Sequence, residues 1–421
     1  MRFIPQLPVA LMLAGMAQLS IAQTRSETAV LKGGAEWRAD VPRNWNGTLL
    51  LYSRGYSPVA GKAESAPRQM AQQLLDAGYA LAGSNYGAGG WSLAEAIPAQ
   101  TATLAAFAAK YGKPKRTIAW GSSMGGLVTT ALAEKRGAGI DGALAMCASI
   151  GGAVGMMNMA LDGAYAFKTL VAPDSAIRLV GIDDDRTNAQ RVVAALDAAM
   201  KTPEGRARVA LAGVLAGIPG WTSRDHAEPA ANDFNAQADE IGRAFAMGVF
   251  LPRTDQEARA GGIFSWNSGI DYRAQLEKSG RRPLVEALYH SAGLDLEADL
   301  SRLNSGTRVT ASSQATDYML ANYTPNARPL VPIIAVQMIG DGATSPALQR
   351  GYMEAAPANM AHGLYVRGAG HCTFDAATTI AALGMLERRI TKRGWSQAPA
   401  PFISYVPQPM MRPCVRGKIC K

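Results

Sequence analysis

The pentapeptide Gly121-Ser122-Ser123-Met124-Gly125 follows the short apolar run Thr117-Ile118-Ala119-Trp120 and opens a stretch rich in Ala and Leu. This is the pattern of a nucleophile elbow: the chain turns so sharply from strand to helix that small residues must flank the serine, whose hydroxyl is left standing at the top of a sheet. With 44 glycines in 421 residues, five residues match such a pattern by chance too readily, so the surrounding elements have to carry the reading. Ser123 is the candidate nucleophile, because it and not Ser122 has Gly two residues away on both sides.

The surroundings alternate. Residues 35–41 alternate in polarity and 48–52 form an apolar run, with the turn signal Asn46-Gly47 between them, which predicts a leading hairpin. A helical pattern over 66–77 ends at Gly78, and 79–83 is strand-like. Ser92-Leu93-Ala94-Glu95 reads as a capping box opening a helix to about Tyr111, with Pro98 placed to bend it. A strand over 116–120, the elbow, a helix to about Arg136 and a strand over 140–146 follow. Strands alternating with helices predict an α/β fold, a mostly parallel sheet covered by helices on both faces. From 151 to about 330 the pattern becomes helical, as at 188–200 and 203–215, without clear strands; strand 332–339, helix 345–355, strand 363–367 and helix 374–391 then resume it. A structureless loop of that length is rare in a compact domain, so the segment is expected to be a mainly helical cap inserted between late core strands. The predicted organisation is a core of 23–150 and 331–395, a cap of 151–330 and a basic tail of 396–421.

A serine hydroxyl is a poor nucleophile at neutral pH and needs an imidazole to take its proton and a carboxylate to orient that imidazole. On this layout the partners are expected in the order Ser, Asp or Glu, His, each in a loop after a strand. Asp341, in Gly340-Asp341-Gly342, follows the 332–339 strand, and His371, in Gly368-Ala369-Gly370-His371, follows the last strand. The chain has four histidines: His226 and His290 fall in the insertion and His362 precedes its strand, which leaves His371. The competing reading of Asp341 is a turn residue beside two glycines. A tetrahedral intermediate also needs two donors for its oxyanion, one being the amide after the nucleophile, Met124, and the second the amide of Tyr56 in the loop that ends the 48–52 strand.

Through Gly121 to Gly126, Gly340 to Pro346 and Gly370-His371 the chain resembles the α/β-hydrolase family, in particular its secreted esterase-like members with a cap between the sixth and seventh strands. The resemblance implies a serine hydrolase cleaving carboxylic esters through an acyl-enzyme, on a small-molecule or polymeric ester that is largely apolar. Where that family usually has His-Gly in the oxyanion loop, this chain has Arg54-Gly55. Arg54 reads as a surface cation in preference to a contact for a substrate carboxylate. Trp91 is a candidate pocket wall. Met146, Met156, Met157 and Met159 suit an acyl pocket, although core filling is the commoner use of such side chains. Serine peptidase or amidase activity and acyl transfer stay open on the same fold; a non-catalytic binding module is disfavoured by the complete triad, and dehalogenation by a serine where an aspartate belongs.

Residues 1–22 read as a cleavable signal peptide: Met1-Arg2, an apolar stretch over 4–19 too short for a transmembrane segment, and Ser20-Ile21-Ala22 at the cleavage site. A secreted or periplasmic location makes pairing of the four cysteines the expectation, and Cys147 with Cys372 and Cys414 with Cys420 is the favoured set of the three connectivities that four cysteines allow. No metal-ligand spacing is present, and the Gly83 to Gly90 stretch lacks the GxGxxG pattern, so neither metal nor nucleotide cofactor is expected. The formal charge of +9 is concentrated at the end, where eight Lys and Arg stand against Glu387 over 387–421. That distribution reads as a solvated helix end and terminus, and gives nucleic-acid binding no support.

Overall fold

The computed structural model describes residues 24–420; the expected signal peptide lies outside them. In chain order the elements are β1 (Arg25–Val30), β2 (Glu36–Val41), β3 (Thr48–Ser53), α1 (Arg68–Asp76), β4 (Ala80–Ser84), α2 (Leu93–Tyr111), β5 (Arg116–Ser122), α3 (Met124–Ala133) and β6 (Gly142–Met146). Then come α4 (Ala153–Leu170), α5 (Asp185–Ala199), α6 (Pro203–Leu215), α7 (Phe234–Val249), α8 (Thr254–Ala260), α9 (Tyr272–Lys278), α10 (Arg282–Ser291), α11 (Leu296–Ser305) and α12 (Ser313–Tyr323). The chain closes with β7 (Ile333–Gly340), α13 (Pro346–Ala355), β8 (Ala361–Ala369), α14 (Ala376–Lys392), β9 (Phe402–Ile403), β10 (Cys414–Val415) and β11 (Ile419–Cys420).

Strands β1 to β9 form one sheet in the order β1-β2-β4-β3-β5-β6-β7-β8-β9. From β4 across to β8 all neighbours are parallel, while the pairings β1 with β2, β2 with β4 and β8 with β9 are antiparallel. All six residues of β3 are buried, as a strand covered on both faces requires. Leu49 and Leu51 pack on the face with Phe107 of α2 and Leu127 of α3, and Leu50 and Tyr52 on the face with Leu74 of α1 and Leu386 of α14.

Two local expectations are corrected. The leading hairpin does not join 35–41 to 48–52, because β4 lies between β2 and β3. The hairpin forms one step earlier, between β1 and β2, where Leu31 N bonds Ala35 O at 2.8 Å; Asn46-Gly47 leads into β3, whose two edges are taken by the parallel strands β4 and β5. The capping box is also absent. Ser92 stands at the start of α2 but its hydroxyl has no partner among the described residues, and the Glu95 carboxylate faces Arg259 of α8 at 2.7 and 2.9 Å.

Strands β6 and β7 are neighbours in the sheet, and helices α4 to α12 run between them in the chain. Parts of α4 to α7 and α9 to α11 share a second apolar core. Helix α4 spans both cores: Met156, Met157 and Met159 belong to the sheet side and Ala164 to Leu170 to the helical side, so almost its whole circumference is buried. Among the described residues no helix is long and apolar enough to cross a membrane.

The basic tail is only partly solvated: Lys418 is exposed, but the segment around Arg412 is buried. Met410 and Met411 join the sheet-side core, and Arg412, fully buried, sets its Nη1 2.9 and 3.0 Å from the carboxylate of Asp162 in the middle of α4. Burial pushes the Asp162 carboxyl up to about 6 against the opposing pull of Arg412. Taking the cation away leaves a buried carboxylate without its countercharge, so Arg412→Met is expected to lower the unfolding free energy by about 3–5 kcal/mol, measured by urea denaturation.

Candidate active site

Strand β5 ends at Ser122 and α3 begins at Met124, which leaves Ser123 alone in the turn with φ +58° and ψ −126°, a backbone state that only surrounding packing sustains. The flanking glycines follow from contact distances. A Cβ on Gly121 would stand 2.5 Å from Ser53 O, and one on Gly125 would stand 2.0 Å from the same oxygen, so the end of β3 tolerates no side chain at either position.

Ser123 Oγ is 3.0 Å from His371 Nε2, and His371 Nδ1 is 2.9 and 3.1 Å from the two oxygens of Asp341. Asp341 has no exposed surface, yet its carboxylate is satisfied: the amides of Ala343 and Thr344 donate to it at 2.9 and 3.0 Å, and Thr344 Oγ1 lies 3.0 Å away. Burial works to lower the His371 pKa, but the charge of Asp341 and its hydrogen bond outweigh it, and the net direction is upward. A disulfide joins Cys372 to Cys147 at the end of β6, with Cα atoms 5.3 Å apart, and so ties the His371 loop to the sheet. Both cysteines have positive φ. A second disulfide joins Cys414 and Cys420. The other histidines stand elsewhere: His226 pairs with Glu240, His362 stacks on Trp395, and His290 is exposed on α10.

Arg54 is a correction. It is buried, not a surface cation, and its guanidinium donates to the carbonyls of Gly55, Asn85 and Ala88 at 3.0, 3.1 and 2.6 Å while lying 4.6 Å above the Tyr86 ring. One planar fork thereby braces the 53–56 loop against the loop that follows β4. Tyr86 completes the tie by donating its hydroxyl to Arg54 O at 3.0 Å.

The Ser123 hydroxyl opens on a cavity of about 410 Å³. Tyr56, Trp91, Met156, Met247, Leu251 and Pro252 supply an apolar wall, and Ser122, Ser149 and Thr344 supply hydroxyls; no Asp, Glu, Lys or Arg lines it among the described residues. Of the four methionines singled out in the sequence, Met156 reaches the cavity, while Met157 and Met159 fill the sheet-side core and Met146 the opposite face. Met247, Leu251 and Pro252 carry no local signal, since only the packing of the insertion brings them here; Ser149 sits in the loop after β6, where its amide donates to Ser123 O at 3.2 Å.

No protein-family model matches the chain. Over 409 residues it is 31% identical to an o-phthalyl amidase of Xanthobacter agilis, covering 88% of each protein. The chain belongs to the α/β-hydrolase superfamily, in one family with this amidase. It is a hydrolase. Among solved structures it is similar to proline iminopeptidase of Mycobacterium smegmatis, at 15% identity and TM-score 0.39 over 88% of this chain and 98% of that one. It is also similar to feruloyl esterase B of Aspergillus oryzae, at 12% identity and TM-score 0.40 over 88% and 80%.

In this hydrolase the cavity wall is latched across elements. Asp255 of α8 accepts from Trp91 N at 2.6 Å and pairs with Arg259 at 2.9 Å, and Arg259 reaches on to Glu95 and to Gly89 O. Trp91 in turn lies 5.9 Å from the Tyr56 ring. The i,i+4 spacing of Asp255 and Arg259 is visible in the sequence; their partners on the other loop are not. The brace of the 53–56 loop is testable at Arg54. A lysine offers one point charge where three carbonyls need a fork, so Arg54→Lys is expected to cost about 1–3 kcal/mol of stability and to lower kcat about 10- to 100-fold, read from urea melts and steady-state kinetics.

Proposed function

We propose that this hydrolase is a carboxylic acyl hydrolase that cleaves esters of largely apolar or aromatic acids through Ser123, His371 and Asp341. The observation that carries the reading is one hydrogen-bonded chain, hydroxyl to imidazole to buried carboxylate, ending at the mouth of an apolar cavity. His371 Nε2 takes the Ser123 proton as Oγ attacks the carbonyl, and Asp341 holds the proton on Nδ1 and stabilises the imidazolium that forms. The amides of Met124 and Tyr56 receive the oxyanion. The imidazolium then protonates the leaving alcohol, and water, activated by the same imidazole, releases the acid. The segment 151–330 acts as the cap that shapes the acyl pocket through Met156, Met247, Leu251 and Pro252.

A second reading, amide hydrolysis, is supported by the amidase relative. It differs at one step, because an amine leaves only when protonated by His371. Paired aryl esters and anilides of the same acid separate the two. Two disulfides suit an oxidising compartment and support export.

Ser123→Ala is expected to remove several orders of magnitude of kcat on a p-nitrophenyl ester series with the fold intact by circular dichroism; full turnover in this variant would sink the reading. The base works as neutral imidazole, so kcat/KM is lost as pH falls through the His371 pKa. Since that pKa is raised, the acid limb is expected to have its midpoint above the ordinary 6.5. Asp341→Asn, which deletes the charge responsible, is expected to move the limb to lower pH and to lower the plateau.

A further inference from the structure

Away from Ser123, a cavity of about 120 Å³ lies where four segments meet: the 217–220 turn after α6, the start of α10, the start of α13 and the tail around 405–411. Its polar lining is one-sided. Arg281, Ser279, Ser345, Tyr405 and Gln408 face it, and among the described residues no carboxylate does. Arg281 spends Nη1 on the carbonyl of Ile218, while its Nη2 has no hydrogen-bond partner and no acid stands within ion-pair distance among the described residues. The half-buried Tyr405 and the exposed Gln408 add a hydroxyl and an amide at the rim, without a hydrogen bond to another described residue. Glu228 is near Tyr405 but is paired with Arg367. Burial pushes the Arg281 guanidinium down to about 10, the response of a cation that has lost water without gaining an anion. The first residues of α13, Ser345 to Ala347, also line the space, and a helix N-terminus adds positive potential.

A partly buried cation with unused donors is unfavourable unless something supplies negative charge. We propose that this cavity binds one small oxyanion, a carboxylate or a phosphate group, on Arg281 with Tyr405 and Gln408 as further donors. A bound anion ties the insertion, the core and the tail at one point. Ser345 Oγ already donates to Gly217 O there at 2.6 Å, and α13 begins a few residues after Asp341. The site therefore affects stability first.

The test is thermal melting and isothermal titration of the mature protein with inorganic phosphate and, separately, acetate, each at constant ionic strength against chloride. Saturable binding of at least one anion is expected, with a melting rise of about 2–4 °C at saturation. Arg281→Gln, which keeps a donor for Ile218 O, and Tyr405→Phe are each expected to weaken that affinity at least about tenfold. General salt stabilisation grows without saturating and affects every variant alike. Saturation with phosphate alone identifies a phosphate group as the ligand, and with acetate alone a carboxylate. Absence of saturable binding for both anions, or affinities unchanged in Arg281→Gln or, should that variant not fold, in Tyr405→Phe, would overturn the proposal.

Discussion

The approach of the β5–α3 turn to the end of β3 sets the rest of the site. Ser53 O lies so near Gly121 and Gly125 that any Cβ would collide with it, and this contact holds Ser123 in its strained turn. Because β3 also carries the 53–56 loop, the same contact fixes the distance between the serine and the Tyr56 amide. Arg54 then locks that loop from beneath by bonding three carbonyls. Candidate nucleophile and candidate oxyanion donor are thus placed by backbone packing, which is stiffer than any side-chain contact.

The second half of the site depends on the insertion and the tail. Helix α4 leaves the sheet just after β6, contributes Met156 to the cavity, and is pinned midway by the buried Asp162 and Arg412 pair. The Asp255 and Arg259 latch holds α8, and with it Leu251 and Pro252, against the loop that carries Trp91. The Cys147 to Cys372 bridge performs the corresponding task for the His371 loop. Each tie crosses between segments far apart in the chain, which suits a cavity that must keep its shape although no single element builds it.

Much of this was legible beforehand, for local reasons. The run of β3, the helix over 203–215, and the Gly121 to Gly125 turn all follow from periodicity and turn chemistry within a few residues. The order Ser123, Asp341, His371 follows from which loops end parallel strands. Where local signals misled, a distant partner had won. The predicted hairpin at Asn46-Gly47 yielded to β4, which offers β3 a parallel edge, and the capping box at Ser92 yielded to Arg259, a charged partner for Glu95 that the Ser92 backbone amide cannot match.

The charges of Arg54 and Arg412 mark the boundary most clearly. Each reads in the sequence as a cation for solvent, since burial of a charge is costly and nothing nearby offsets it. In the fold each finds its partners, carbonyls of Asn85 and Ala88 for one and the Asp162 carboxylate for the other. The sequence alone determined the alternation of the central strands and helices, the turn at Ser123 and the chain positions of the candidate triad, because these depend on residues within one turn or one strand. Only the tertiary structure decided strand neighbours, the cavity wall and the fate of buried charge, because those depend on which distant surfaces exclude water together.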